Sequence, residues 1–261
     1  MKRIPTAFAA LCLLCIGTIT NSQTGPTYSN ASLSGTYVFD SGAIGTANNA
    51  TETSALVGTF TADGKGNITA GQVDLNAGPS QSQQPLTLTG NYSVGADGRG
   101  QLVLSTGSVK VTYSFVLLSS SRGNLVEMST SETSSGQFQL QSGAASGIAA
   151  GSYGLALSGF ALSQGKNGAT NFNPTDWVGQ LAADGNGNLA GHLDANVLGQ
   201  PQPGLTLTGT VSFTNGRGTG TLDGIPFVFY AADSSTVYAM GTSAITAGTV
   251  WQIVGNLQAQ Q

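Results

Sequence analysis

Along most of the chain apolar and polar residues alternate one by one. In LTLTGNYSV (86–94), Leu86, Leu88, Gly90, Tyr92 and Val94 share one parity, with Thr and Ser on the other. The same reading picks out Val111, Tyr113, Phe115 and Leu117 in 110–119, and Leu205, Leu207, Gly209, Val211 and Phe213 in 205–214. A period of two sends successive side chains to opposite faces of a strand, one buried and one wet. No stretch shows a helical period of comparable clarity. Clusters of Gly, Asn and Asp cut the pattern into short runs and predict strands over 34–44, 54–63, 66–76, 86–95, 100–106, 109–119, 124–132 and 136–141. Such strands, joined by tight turns, make an all-β antiparallel up-and-down meander. With one apolar face it closes into an eight-stranded barrel that leaves no free edge. A β-sandwich is the alternative for the same pattern.

The pattern occurs twice. SGTYVF (34–39) returns as AGSYGL (150–155), and LVGTFTADGKGN (56–67) as WVGQLAADGNGN (177–188). GQVDLNAG, QPLTLTGNYSV and DGRGQLVL return, in the same order, as GHLDANVLG, QPGLTLTGTVSF and NGRGTGTL. This co-linearity predicts two tandem copies of one domain, over 33–141 and 151–261, joined by a linker at 142–150 and preceded by an N-terminal linker at 23–32.

These quoted repeats resemble those of uncharacterised secreted bacterial tandem-repeat β proteins, over nearly all of the chain after its first segment. The strand plan is similar to calycin-type up-and-down barrels such as lipocalins and avidins, which implies a ligand cup. Gly35-Thr36-Tyr37 and Gly151-Ser152-Tyr153 stand where lipocalins carry Gly-x-Trp.

The N-terminal Met1-Lys2-Arg3, followed by an apolar run through Ile16, reads as a secretory signal peptide over 1–22, cleaved near Ser22. The protein is therefore expected to be secreted, at the cell surface or periplasmic. A lipoprotein anchored through Cys15 is the alternative, with Leu14 where lipidation favours a small residue. Both cysteines, Cys12 and Cys15, fall in this segment, so thiol chemistry is excluded from the mature chain.

Charged residues are only 8% of the chain, and without Lys2 and Arg3 six basic residues face twelve acidic ones. The basic residues are scattered singly, which argues against nucleic acid as a partner. No later stretch is long and apolar enough for a membrane-spanning helix. The absence of paired aromatic belts favours a soluble barrel over an outer-membrane one.

The Asp-Gly-x-Gly stretches at Asp63 and Asp184 each bring one carboxylate to a turn. Calcium needs several oxygens converging on one point, and the phosphate-loop spacing is not met. They are expected to be hairpin turns in which Gly takes positive φ and Asp bonds its own backbone, with no metal and no cofactor. His192, the single histidine, precedes Asp194 by two and is expected to be an exposed strand residue.

Asp74 with Asn76, and Asp194 with Asn196, put two polar groups on one strand face and are candidates for binding a polar ligand at a barrel mouth. Tyr92, Phe115, Trp177, Phe213 and Phe229 are candidates for contacting an apolar ligand inside. Further aromatic residues expected to line the interiors are Tyr37, Phe39, Phe60, Tyr113, Tyr153 and Phe227. Inner-face glycines at 58, 90, 179 and 209 either leave room or allow sharp coiling.

The leading expectation is a non-enzymatic barrel protein binding a small apolar or mixed ligand. An interaction or structural module of filled barrels, directed at an extracellular glycan, is second. A glycosidase-like enzyme using paired carboxylates such as Asp74 and Glu127 is third. Glu127 is expected on the outer face.

Overall fold

The computed structural model describes residues 25–47, 50–77, 85–107, 109–129, 132–142, 147–165, 169–242 and 249–261. The expected signal segment 1–22 lies outside them, as does part of the expected linker, 143–146.

The chain forms two closed antiparallel eight-stranded barrels in tandem. The first contains β1 (Ser34–Ala47), β2 (Ala50–Asp63), β3 (Asn67–Asn76), β4 (Leu86–Thr87), β5 (Thr89–Val94), β6 (Arg99–Ser105), β7 (Lys110–Ser119), β8 (Arg122–Glu127) and β9 (Glu132–Leu140). β4 and β5 are one strand broken at Leu88, both paired with β3, and β9 returns to pair with β1. The second contains β10 (Gly151–Gln164), β11 (Thr170–Ala183), β12 (Asn188–Val197), β13 (Gln200–Thr214), β14 (Arg217–Leu222), β15 (Ile225–Ala231), β16 (Thr236–Gly241) and β17 (Thr249–Ala259). Here β17 closes onto β10. The barrel, not the sandwich, is the architecture.

Alternation does what it predicts. In β7, Tyr113, Phe115 and Leu117 are buried while Val116 and Leu118 are exposed. The lower part of barrel 1 is an aromatic cluster: Tyr37 stacks on Phe60 at 5.4 Å, and Phe138 meets Tyr37 and Phe115 edge-on at 5.7 Å. Below it the end is closed by polar caps. The Tyr37 hydroxyl donates to Ser120 O (2.8 Å) and the Tyr92 hydroxyl to Leu33 O (2.7 Å), just after a short 3-10 turn at Asn30–Ser32. Tyr153 repeats the cap in barrel 2, with Ala149 O and Ser234 O both 3.0 Å away.

The two Asp-Gly-x-Gly-Asn segments make the same turn, with matching hydrogen bonds. Asp63 Oδ1 accepts from Lys65 N (2.7 Å) and Asn67 N (2.9 Å), and Oδ2 from Asn67 Nδ2 (2.7 Å). Asp184 does the same with Asn186 N, Asn188 N and Asn188 Nδ2. The glycines supply the left-handed backbone, with φ of +75° and +111° at Gly64 and Gly66, and +77° and +96° at Gly185 and Gly187. The inner-face glycines mark close strand approach. A Cβ at Gly58 or Gly90 would run into the carbonyl of Gln72 or Val103, so these positions coil the sheet and do not leave room.

The barrels are joined by a third apolar core, made of outward residues. Val38, Ala55 and Val57 from β1 and β2 meet Val228, Tyr230, Tyr238, Met240 and Val254 from β15–β17, with Ala232 just after β15. Every residue of β16 is buried, because its inner side faces barrel 2 and its outer side faces barrel 1.

Candidate ligand cup

Above its aromatic floor, barrel 1 opens into a cup of about 450 Å³. Phe39 and Tyr113 form the bottom, and the wall is aliphatic, with Leu56, Val73, Leu75, Leu86, Leu88, Leu104 and Val111. Each projects inward because it occupies the apolar parity of its strand. Glu52, Glu127 and Glu132 stand among the lining residues, with no Lys or Arg among the described ones. Leu162, Thr170 and Phe172 from the β10–β11 hairpin overhang the same cavity, so barrel 2 supplies part of its cover.

The polar side of the cup is organised. Ser41 Oγ donates to Ser134 Oγ (2.9 Å), and Ser134 Oγ is 2.8 Å from Glu127 Oε2. Burial pushes the Tyr113 phenol up to about 12, opposed by hydrogen bonding with Ser41 and Ser134. Burial, and then the like charges of Glu127 and Glu52, raise the Glu132 carboxyl above its ordinary value. Glu127 shares the parity of buried Leu125, opposite to exposed Val126, and faces inward, against the outward expectation.

Strand register shows why barrel 2 differs. Val57 pairs with Asp74 as Val178 pairs with Asp194, which matches Leu56 to Trp177. Tyr113 pairs with Glu127 as Phe227 pairs with Gly241, and Gly45 with Glu132 as Ala161 with Trp251. The positions of Leu56 and Glu132 in the cup are therefore tryptophans in barrel 2, with ring centroids 5.3 Å apart, and that of Glu127 is a glycine. Trp177 also meets Phe227, at 6.5 Å. Barrel 2 fills with indole the space that barrel 1 leaves open.

The sequence-predicted site residues lie elsewhere. Tyr92 caps the closed end of barrel 1, and Phe115 packs on Phe138 near it. Trp177, Phe213 and Phe229 belong to the interior of barrel 2, where the Trp177 Nε1–H is buried without a partner among the described residues. Asp74 and Asn76 lie between the barrels and not at a mouth. Asp74 accepts from Arg217 Nε and Nη2 (both 2.7 Å) and from the Tyr230 hydroxyl (2.6 Å). Asn76 Nδ2 donates to Gly241 O (2.6 Å), and Gln252 Nε2 donates to Asn76 O (3.0 Å) and Thr53 O (2.9 Å). Their counterparts Asp194 and Asn196 are exposed, as is His192. Asp74 points out of the barrel wall and Glu127 points in, so the two carboxylates do not flank a common bond as a glycosidase requires.

The cup residues Leu56, Leu104, Glu52 and Glu132 escaped sequence reasoning, since nothing local distinguishes a lining leucine from a packed one. The signal for the interface was present: IPFVFYAA (225–232) and TVYAM (236–240) are apolar at both parities, as strands covered on both faces are.

A second, more polar groove of about 920 Å³ runs between the barrels, with Asp40, Asn124, Gln137, Ser158, Asp176 and Asn256 among its lining residues. Among the described residues, no group of His, Cys, Asp and Glu is arranged to hold a metal ion, and no helix is long and apolar enough to cross a membrane. No family model matches the chain, and no curated protein was found to resemble it.

Proposed function

We propose that the protein is a secreted, non-enzymatic binding protein whose first barrel holds one small ligand with an apolar body and a polar end. The carrying observation is the aliphatic cup of about 450 Å³ in barrel 1, set against the tryptophan-filled interior of barrel 2. Sites for small molecules span roughly 300–1,000 Å³ and combine apolar walls with a few polar groups. Each methylene moved from water into such a wall contributes about 0.8 kcal/mol. Three carboxylates at the cup, with no cation among the described lining residues, favour a positively charged end over an anionic one. Barrel 2 is the scaffold: it seals the outer face of β1–β3 and reaches over the mouth with Leu162 and Phe172.

The test is displacement of a neutral solvatochromic dye from the mature chain by ten-carbon amine, alcohol and carboxylate probes. Saturable binding of one dye per chain, displaced best by the amine, supports the reading. Absence of saturable binding for all probes overturns it.

The polar groove favours one second reading, binding of an extracellular polysaccharide along amide and hydroxyl side chains. Retention of the mature protein on immobilised extracellular polysaccharide, lost in Gln137→Ala with Asn256→Ala, supports it; failure of the wild type to be retained removes it.

A further inference from the structure

The contact between the barrels is heterologous: the outer face of β1–β3 on one copy of the repeat meets the outer face of β14–β17 on the other. Because the copies share strand register, each barrel also carries the face that the other one uses. Barrel 2 presents β10–β12, where Val178 matches Val57, Asp194 matches Asp74 and Asn196 matches Asn76. Barrel 1 presents β6–β8, where Arg99 matches Arg217, Val116 matches Tyr230 and Val126 matches Met240. Both faces are uncovered within the chain. Val178 is 60% exposed, Val126 43% and Val116 37%, with Leu118 and Met128 exposed beside them.

We propose that these two faces seat on each other between chains, so that the protein associates head to tail with further copies of itself. Charge complementarity and continuity with the internal interface carry the assignment. Asp194 of one chain meets Arg99 of the next, as Asp74 meets Arg217, while Val178 meets the Val116–Val126 strip. Arg99 is held by Asp97 at 2.6 Å and Asp194 Oδ1 accepts from Gly204 N at 2.7 Å, both solvent-exposed contacts that leave the guanidinium and the carboxylate room for a second partner. Gly154, Asp176, Ser114, Asn124 and Ser135 replace Val38, Ala55, Val228, Tyr238 and Val254 of the internal contact, and Val116 replaces Tyr230. The association therefore rests on the Val178, Val116 and Val126 contact and the charge pair, and is much weaker than the internal one and reversible. Such a contact uses different patches on the two partners, and repeats into a ring or an open filament.

The experiment is sedimentation velocity of the mature chain over a wide micromolar range at physiological salt. The proposal expects mass to rise with concentration. Asp194→Arg alone and Arg99→Asp alone, both at exposed positions, each weaken association at least tenfold. Mixing the two variants restores it, because Arg at 194 then faces Asp at 99 and Asp194 faces Arg99. A single-chain mass at every concentration overturns the proposal. So does association that neither substitution weakens, or a failure of the mixture to recover.

Discussion

Asp74 and Arg217, 143 positions apart in the chain, meet in a bidentate pair with both bonds at 2.7 Å, and the Tyr230 hydroxyl completes the carboxylate's shell. The Asp74 side chain is 3% exposed and that of Arg217 is 21%. A charge pair this deep ties the two barrels into one body at a defined rotation, which is what places the β10–β11 hairpin over the cup.

Replacing Asp74 by Ala leaves a largely buried guanidinium and a phenol without their acceptor. The expected cost is about 2–3 kcal/mol, below the usual range for a broken buried pair because one edge of Arg217 reaches water. The exposed counterpart Asp194→Ala, which loses a solvent-exposed bond from Gly204 N at 2.7 Å, should cost about 1 kcal/mol or less. Urea denaturation followed by tryptophan fluorescence checks both, since Trp177 and Trp251 each lie in barrel 2.

Asp40 predicts a pH dependence of the interface. Burial pushes its carboxyl up to about 7, against the help of Gln137 N–H at 2.9 Å, and Tyr238 of β16 is the titratable group facing it. A raised folded value means the native state holds the proton more tightly than the unfolded chain. Stability from this group is thus full below the unfolded value near 3.8 and is lost as pH rises to and through 7, by on the order of 4 kcal/mol. Asp40→Asn keeps the oxygen that accepts from Gln137 and removes the charge. Its melting temperature should match the wild type at pH 4 and exceed it at pH 8.

The paired turns behave in the opposite sense. Hydrogen bonds, first from the Asn67 side chain and then from backbone N–H groups, hold Asp63 down to about 2, and hydrogen bonds led by the Asn188 side chain lower Asp184 below its ordinary value. Their contribution is present above the ordinary carboxylate value and disappears as pH falls toward 2. Thermal melts between pH 5 and 2 should show this loss, flattened in Asp63→Asn. Calcium or chelator should leave the melting temperature unchanged, because the three donors already occupy the carboxylate.

The strands and turns were legible because their causes are local. Alternation marks a half-buried strand wherever it occurs, and Asp-Gly-x-Gly-Asn carries its own donors and acceptor. The interface was legible in principle from Phe227–Ala231 and Val237–Met240, where alternation gives way to apolar residues at both parities. Asp74 was visible as unusual but not as an interface residue, since its partner lies in the other copy. The cup was not legible. It depends on Leu56 and Glu132 standing where the second copy has Trp177 and Trp251, and that comparison needs the strand register.

The cover over the cup predicts a kinetic effect. Phe172 contributes a ring to the cavity from the β10–β11 hairpin. Phe172→Ala should speed release of a bound apolar probe several-fold in stopped-flow displacement, while the fold is kept. A release rate identical to wild type would mean that the hairpin does not gate the site.

The most direct measurement is the stoichiometry and location of binding of a neutral apolar dye by the protein. Calorimetric titration should give one saturable site, abolished by Val111→Trp, which fills the cup from inside, and retained in Trp251→Phe, which leaves the cup untouched. Binding that survives Val111→Trp, or no binding in a wild-type protein with a normal melting temperature, would contradict the account.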